Sequence, residues 1–279
     1  MSERPIDADA FRDFERAAHD EIADGYRRFF TAVTEYAVEP LLDAAAVRAG
    51  TRVLDVATGP GVVAFRAASR GAAVVTGVDL APRMLELAVA QYPGVNFRQA
   101  DAENLPLADH SFDCVVSNFG LGHFPRPDRA LSEFARVLTP GGAVAVSWWD
   151  VPAHHRVMGI FFDAMNAAGA TAPAELPTGP PMFRFSDDKE LSGALGSAGI
   201  ADVRVRAFSF IHPLASPEEL WNGILSGTVR TSIGIRRQPK EVQERIRTEF
   251  ARLVQAYAGP NGIKVPVALK IGSGRKPFR

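Results

Sequence analysis

The chain has 279 residues, enough for one α/β domain with additions or for two small domains. Its 47% hydrophobic and 23% charged residues are typical of a globular protein, and a net charge of −1 excludes an overall attraction to nucleic acid or to anionic membranes. The single cysteine, Cys114, excludes an internal disulfide and a cysteine-based zinc site. The lack of a signal-peptide pattern and of an apolar run of bilayer length predicts a cytoplasmic location.

Residues 1–50 carry aromatic and aliphatic side chains at intervals of three and four. This spacing predicts one or two amphipathic helices. The recurring side chains are Phe11, Phe14, Ala18, Ile22, Tyr26, Phe29, Phe30, Val33, Tyr36 and Ala37. Pro40 is predicted to open a further helical piece, which Gly50 ends.

A glycine turn follows the first predicted strand, residues 51–56. The turn, Ala57-Thr58-Gly59-Pro60-Gly61, leads directly into a helix-compatible stretch, residues 62–69. Together these pieces form the first half of a βαβ unit. The two glycines allow backbone angles that other residues avoid and let a ligand approach the main chain. The free N–H groups at the helix start complete a site for a nucleotide-like ligand.

Two ligand classes fit this turn. Gly59-x-Gly61-x-x-Ala64, followed by Asp79, matches the loose dinucleotide fingerprint. Asp55 argues against NAD(P), because a carboxylate beside the turn repels a pyrophosphate. S-adenosylmethionine carries a sulfonium and an ammonium group, which a carboxylate attracts. The sequence therefore predicts S-adenosylmethionine, and an NAD(P)-dependent oxidoreductase remains an alternative.

Strands and helices alternate over residues 51–150. The predicted strands are 51–56, 73–78, 95–99, 112–118 and 142–149, and the helices are 62–69, 82–91 and 126–138. This alternation predicts a parallel sheet with helices on both faces, whose ligands bind at the carboxyl ends of the strands. Gly59, Asp79, Asp101 and Asn118 all fall at such ends.

The pattern changes after residue 150. Helices are predicted at 158–168, 187–198, 216–225 and 239–257, and strands at 203–211 and 265–271. Ser186 is the predicted cap of the second of these helices. A proline-rich loop, Pro173–Pro181, is predicted to be exposed and could act as a lid.

Five segments, in order, resemble the motifs of class I S-adenosylmethionine-dependent methyltransferases. They are Asp55-x-x-x-Gly59-x-Gly61, Val78-Asp79-Leu80 with Met84, Asp101-Ala102-Glu103-Asn104-Leu105-Pro106, Phe112-Asp113-Cys114-Val115-Val116-Ser117 and Arg136-Val137-Leu138-x-Pro140-Gly141-Gly142. The chain is most similar to the branch typified by ubiquinone- and menaquinone-biosynthesis methyltransferases. Ala57 departs from the pattern, since many members carry glycine there.

The resemblance implies a Rossmann-like, doubly wound, mostly parallel seven-stranded sheet with an antiparallel last strand. Residues 1–50 would form a helical cover, and residues 51–150 the core that binds S-adenosylmethionine. Residues 151–279 would complete the sheet and carry a helical insertion, at about 214–260, between strands six and seven. The implied activity is transfer of a methyl group to O, N or C of a small molecule, of apolar or aromatic character.

Site residues follow from these positions. Asp79 is expected to accept from the ribose hydroxyls, and Asp101 with the Ala102 N–H to pair with the adenine. The adenine would lie among Leu80, Met84 and Phe119. The further expected cofactor residues are Asp55, Ala57, Thr58, Gly59, Gly61, Glu103 and Asn118. The expected acceptor residues are Tyr26, Phe30, Trp149 and Trp221, and only one of Trp148 and Trp149 can face the pocket, because adjacent strand residues point to opposite faces.

A base is needed for an O–H or acidic C–H acceptor, and histidine is the usual one near neutral pH. His123, in the loop after the fourth strand, is the first candidate, and His154 and His155 after the fifth are the others. His212 is a weaker candidate, and His19 and His110 are predicted to lie at the surface. No metal site is predicted, since no carboxylates accompany these histidines at ligand spacing.

The expected partner is a small-molecule acceptor, without nucleic acid or membrane, and a homodimer is left open. A non-methylating enzyme of the same fold, such as a cyclase that keeps S-adenosylmethionine as a scaffold, remains a second alternative. Its cofactor motifs would be the same.

Overall fold

The computed structural model describes residues 6–173 and 176–278. Residues 1–5 of the predicted cover, residues 174 and 175 of the predicted proline-rich loop, and residue 279 lie outside the described part. The helices are α1 (Ala8–Gly25), α2 (Thr31–Thr34), α3 (Val38–Ala44), α4 (Val62–Ser69), α5 (Pro82–Gln91), α6 (Pro127–Val137), α7 (Arg156–Ala167), α8 (Asp188–Ser197), α9 (Pro217–Gly227), α10 (Arg230–Arg236) and α11 (Lys240–Val254). The strands are β1 (Arg52–Val56), β2 (Val74–Asp79), β3 (Asn96–Gln99), β4 (Phe112–Asn118), β5 (Leu138–Trp149), β6 (Ala201–Leu214), β7 (Ala258–Gly259) and β8 (Gly262–Arg275).

One sheet runs through the described residues in the order β3-β2-β1-β4-β5-β8-β6. Strands β1 to β5 pair in parallel, and β8 runs antiparallel to both β5 and β6. The predicted doubly wound, mostly parallel sheet with an antiparallel last strand is thus confirmed. The two-residue strand β7 pairs with β8 and was not expected. The strand order reverses between β1 and β4, which opens a crevice at their carboxyl ends.

Several strands and helices begin and end where the local sequence predicts. Strand β4 and helices α4 and α5 have the predicted bounds. For the two helices the reason is local, because Gly61 at φ 88° starts α4 and Pro82 takes the first turn of α5. The predicted cap of α8 is wrong. Asp187 caps this helix by accepting from the N–H groups of Lys189 and Glu190, whereas the Ser186 hydroxyl donates to the Trp149 carbonyl.

The N-terminal segment is helical without a break from α1 to α3. A π-helical turn, Tyr26–Phe30, joins α1 to α2, and a 3₁₀ turn, Glu35–Ala37, joins α2 to α3. Such π turns inside α-helices occur often at functional sites. No helix in residues 6–173 and 176–278 has both the length and the apolar character needed to cross a bilayer.

Helices α9, α10 and α11 follow β6 and precede β7 and β8. Trp221 of α9 lies against Phe161 of α7 and Phe250 of α11, at ring-centroid distances of 5.6 and 5.0 Å. The Arg247 guanidinium covers the indole at 4.4 Å from the ring centroid. Trp221 therefore ties the inserted helices to α7.

Trp221→Ala is expected to lower the free energy of unfolding by about 2 kcal/mol, because it removes this aromatic contact. The loss is smaller than for the truncation of a fully buried tryptophan. Urea unfolding measures the loss. Arg247→Ala, which removes the cation over the rings of Trp221 and Phe250 and the ion pair with Glu218 but leaves the aromatic contact, is the milder comparison. A stable Trp221→Ala variant with a raised KM for the acceptor would contradict the packing role and return Trp221 to the acceptor site.

Candidate cofactor and acceptor site

A cavity lies at the carboxyl ends of β1, β2 and β4, beneath α1 and the π-helical turn. It encloses about 910 Å³ of space, part of which is open to solvent. Its wall contains most of the residues that the sequence singles out: Tyr26, Phe30, Ala57, Gly59, Asp79, Leu80, Met84, Asp101, Ala102, Asn118, Phe119, His123 and Trp149. The structure thus brings together residues that are distant in the sequence.

Other predicted site residues do not line this cavity. Thr58 faces a smaller adjoining pocket, which shares Tyr26, Ala57, Gly59 and Asn118 with the main cavity. The remaining ones are Asp55, Gly61, Glu103, His154, His155 and Trp221. Glu103 is buried and accepts from the Arg126 N–H and guanidinium at 2.5 and 2.7 Å, so it holds the loop before α6.

The Asp55 carboxylate lies beneath the glycine turn and is fully buried. One of its oxygens, Oδ2, accepts from the Thr58 hydroxyl at 2.6 Å and from the Ala64 N–H at 3.1 Å. Burial raises the pKa of Asp55 to about 7, although these two hydrogen bonds oppose the rise. Asp55 therefore shapes the turn from behind and does not line the cavity, where the sequence predicts it to attract the ligand directly.

Asp79, at the end of β2, joins the turn to the next helix. Its Oδ2 accepts from the Gly59 N–H at 2.8 Å and its Oδ1 from the Ala81 N–H at 2.9 Å. Burial raises the pKa of Asp79, and the bonds from the Ala81 and Gly59 N–H groups act in the opposite direction. Each carboxylate oxygen retains a further lone pair, so the group can also accept from two ligand hydroxyls.

Aromatic rings form the opposite part of the wall. Phe119 stacks on Trp149 with 3.6 Å between ring centroids, and Phe30 meets the same indole edge-on at 5.7 Å. Tyr26 is the fourth ring, and burial raises its pKa to about 12. Ala57 and Phe119 lie in the left-handed region, at φ 56° and 58°. Non-glycine residues enter this region at a cost, and they concentrate at functional sites.

Trp148, the neighbour of Trp149, points away from the cavity. Its indole N–H donates to the Met182 carbonyl at 2.7 Å, and it packs so closely on Gly122 that a Cβ there would lie 2.1 Å from the ring. As strand alternation predicts, one tryptophan faces the cavity and the other packs behind it.

Of the three bases that the sequence predicts, His123, His154 and His155, it is His123 that lines the cavity. It closes the 3₁₀ turn Leu121–His123 after β4, and its Nδ1 lies 3.0 Å from Glu15 Oε2. His154 is exposed and pairs with Asp150 at 3.0 Å, outside the cavity. His155 is fully buried and stacks on Trp149 at 4.3 Å.

Burial lowers the pKa of His155 to about 3. Between that value and the unfolded value near 6.5, the folded chain binds fewer protons than the unfolded chain, so stability falls as the pH falls. Because of His155, we expect the free energy of unfolding to fall by about 1.4 kcal/mol for each unit by which the pH is lowered between about pH 6 and pH 4. Urea unfolding of wild type and His155→Phe should give a flatter dependence for the variant, with the exposed His154→Gln as control. Equal slopes would contradict the buried neutral state.

The prediction that His19 lies at the surface is wrong. Its side chain is 20% exposed, lines the cavity and forms an edge contact with His123 at 4.8 Å. Arg12, Glu15 and Arg16 of the same helix also line the cavity and were missed. Phe11, Glu15 and His19 follow one another at intervals of four residues and therefore share one face of α1. Polar residues on an otherwise apolar helical face were the sequence signal that could have placed Glu15 and His19 in the site.

The comparisons with known proteins agree with this geometry. A family model described as methyltransferase domain matches residues 54–146. Demethylmenaquinone methyltransferase of Clavibacter sepedonicus is 31% identical over 221 residues, which cover 74% of this chain and 87% of that protein. The chain belongs to the class I S-adenosylmethionine-dependent methyltransferases.

Two further similarities are more limited. The enzyme of the same name from Chlorobaculum parvum is 43% identical, but over 95 residues, 34% of this chain and 39% of that protein. A solved phosphoethanolamine N-methyltransferase of Haemonchus contortus, in complex with S-adenosylhomocysteine, aligns with a TM-score of 0.58 at 20% identity. That alignment covers 96% of this chain and 60% of the other, and at this identity it shows the fold alone.

The methyltransferase's cofactor is S-adenosylmethionine, as the sequence predicts, and the cavity suits it chemically. Carboxylates at the ends of β2 and β3, Asp79 and Asp101, are acceptors for hydroxyl and amino groups. Aromatic side chains in the cavity wall, such as Tyr26 and Phe119, favour a cation such as a sulfonium.

Proposed function

We propose that this methyltransferase acts on an apolar, aromatic small molecule. The observation that carries the proposal is the aromatic part of the cavity wall, Tyr26, Phe30, Phe119 and Trp149, beside the glycine turn. Flat aromatic acceptors gain from edge and face contacts with such rings. The name of the Clavibacter relative, a demethylmenaquinone methyltransferase, agrees with an acceptor of this class.

In this proposal the two ends of the cavity have different tasks. Asp79, Asp101 and the Ala102 N–H hold the adenosyl group, with Leu80 and Met84 as its apolar neighbours. S-adenosylmethionine supplies a methyl group that its sulfonium already activates. The aromatic rings orient the acceptor and exclude water, and such placement accounts for most of the catalysis.

His123 is the proposed base. It is a candidate base in the cavity wall, whereas His154 is outside and the lowered pKa of His155 makes that ring a poor proton acceptor. Its task is to take the proton of an O–H or acidic C–H acceptor during transfer.

Incubation with S-adenosylmethionine that carries a deuterated methyl group tests the proposal. The acceptor panel pairs 1,4-dihydroxynaphthalenes and substituted phenols with aliphatic amines and carboxylic acids of similar size. We expect mass spectrometry to find labelled product among the aromatic acceptors. Label on the aliphatic acceptors alone would contradict the aromatic class. Tight cofactor binding without transfer to any acceptor would favour the non-methylating alternative.

A further inference from the structure

Glu15 is a buried carboxylate on α1 at the meeting point of three elements. Its side chain is 5% exposed. His19 lies one turn further along α1, His123 comes from the turn after β4, and Arg230 comes from α10. A carboxylate at such a depth is costly unless charged or hydrogen-bonding partners surround it.

Each Glu15 oxygen faces a different partner. Oε2 lies 3.0 Å from His123 Nδ1 and 3.4 Å from His19 Nδ1. Oε1 lies 3.4 Å from Arg230 Nε. The same guanidinium donates to the carbonyl of Gly122, the residue before His123, at 2.7 Å. Arg230 therefore ties the carboxylate to the backbone that carries His123.

These contacts keep Glu15 ionised. Burial alone would raise its pKa, but the charge and hydrogen bond of His123, together with the charges of His19 and Arg230, outweigh burial and lower the pKa of Glu15. When His123 is neutral, its Nδ1–H bond and the charge of Arg230 still hold the carboxylate in its ionised form. An ionised carboxylate has no proton to donate. His123 must then donate through Nδ1–H, and Nε2 is left as the nitrogen that can take up a proton.

We propose that Glu15 is a positioning residue for the methyltransferase, one that fixes His123 in the Nδ1–H form so that Nε2 receives the proton of the acceptor. This inference rests on the proposed role of His123 as the base. Glu15 also stabilises the imidazolium that forms when the proton is taken up, as the third group of a catalytic triad does. Because Glu15 is on α1, the helix that covers the cavity also completes the base.

A metal site is the competing interpretation of the same cluster. The ligand atoms of Glu15, His19 and His123 lie within 4.8 Å of one another. The Arg230 guanidinium beside Oε1 disfavours a second cation at this place. His19 also has a partner of its own, because its Nδ1 lies 2.8 Å from the Glu15 carbonyl oxygen. The contacts are therefore those of a network of hydrogen bonds and an ion pair.

Nitrogen NMR of the full chain with ¹⁵N-labelled histidine, bound to S-adenosylhomocysteine, measures the form of His123 directly. Loss of one signal in His123→Gln assigns the ring. At a pH where the ring is neutral, we expect a protonated Nδ1 and an unprotonated Nε2 in the wild type. A wild-type ring protonated at Nε2 would overturn the proposal without the need for any variant.

Glu15→Gln keeps the size of the side chain and removes its charge. Its amide can either accept from or donate to Nδ1, so we expect the Nε2–H form of His123 to appear. We also expect kcat to fall by about 10²-fold, with an unchanged dissociation constant for S-adenosylhomocysteine. Glu21→Gln, the same change at an exposed position of α1, should leave both unchanged.

Glu15→Asp keeps the charge and should recover part of kcat. Glu15→Gln with the wild-type ring form and full kcat would overturn the proposal, and so would a loss of cofactor affinity equal to the loss of kcat. If His123→Gln were fully active although the wild-type ring carried its proton on Nδ1 as expected, His123 would not be the base. Glu15 would still hold the ring in the Nδ1–H form. The two failures are thus distinguishable.

Discussion

Asp79→Ala is expected to weaken the binding of S-adenosylhomocysteine by about 2–4 kcal/mol, as measured by calorimetry. The reason is the expected loss of charge-assisted hydrogen bonds to two ribose hydroxyls, which water can partly replace in the variant. Asp13→Ala, which removes an exposed carboxylate on the outer side of α1, is the control and should bind normally. An unchanged dissociation constant for Asp79→Ala would leave Asp79 as a structural residue of the turn.

Asp79→Ala also removes the hydrogen bonds that the Gly59 and Ala81 N–H groups donate to this carboxylate and that hold the turn. A loss of affinity could therefore come from the ribose hydroxyls or from the turn. A double-mutant cycle with the 2′-deoxy form of S-adenosylhomocysteine separates the effects. If Asp79 binds the hydroxyl, losing that hydroxyl should cost the variant less than it costs the wild type. Additive losses would mean that Asp79 acts through the turn alone.

The parallel part of the sheet follows from local signals in the sequence. Strand β4, helix α4 and helix α5 have the predicted bounds because a glycine, a proline and a change of hydrophobic period mark them. Strands β6 and β8 are longer than predicted. They pair with each other over most of their length, and this pairing extends them beyond their apolar cores. Pairing between distant segments leaves no local mark in a sequence.

The shared position of Asp79 and Asp101 in the cavity wall was predictable from the sequence. Asp79 and Asp101 occupy the ends of adjacent strands, and topology alone brings such ends together. The network around Glu15 was not predictable, since it joins α1, the turn after β4 and α10 across more than 200 residues of sequence. Trp221 shows the converse, because an apolar residue in the inserted helices packs on Phe161 and Phe250 rather than on the cavity. The pattern marks a residue for burial but does not say against which neighbour.

His123→Gln is expected to lower kcat by about 10²–10⁴-fold, the usual contribution of a general base, with little change in the affinity for S-adenosylhomocysteine. Glutamine fills a similar volume and can still accept a hydrogen bond, but it cannot take up a proton near neutral pH. The comparison needs an acceptor with an O–H or acidic C–H group, because a neutral amine can be methylated without prior proton removal.

His154→Gln provides the matched control for this experiment. His154 also pairs with a carboxylate, Asp150, but it is two-thirds exposed and lies outside the cavity. If His123 is the base, single-turnover rates should fall for His123→Gln and stay at the wild-type value for His154→Gln. The opposite pattern would place the base on the β5 side of the site, and it would require Asp150 rather than Glu15 to orient it. Equal and full activity of both variants on a phenolic acceptor would mean that the aromatic wall and the cofactor carry the reaction without a protein base.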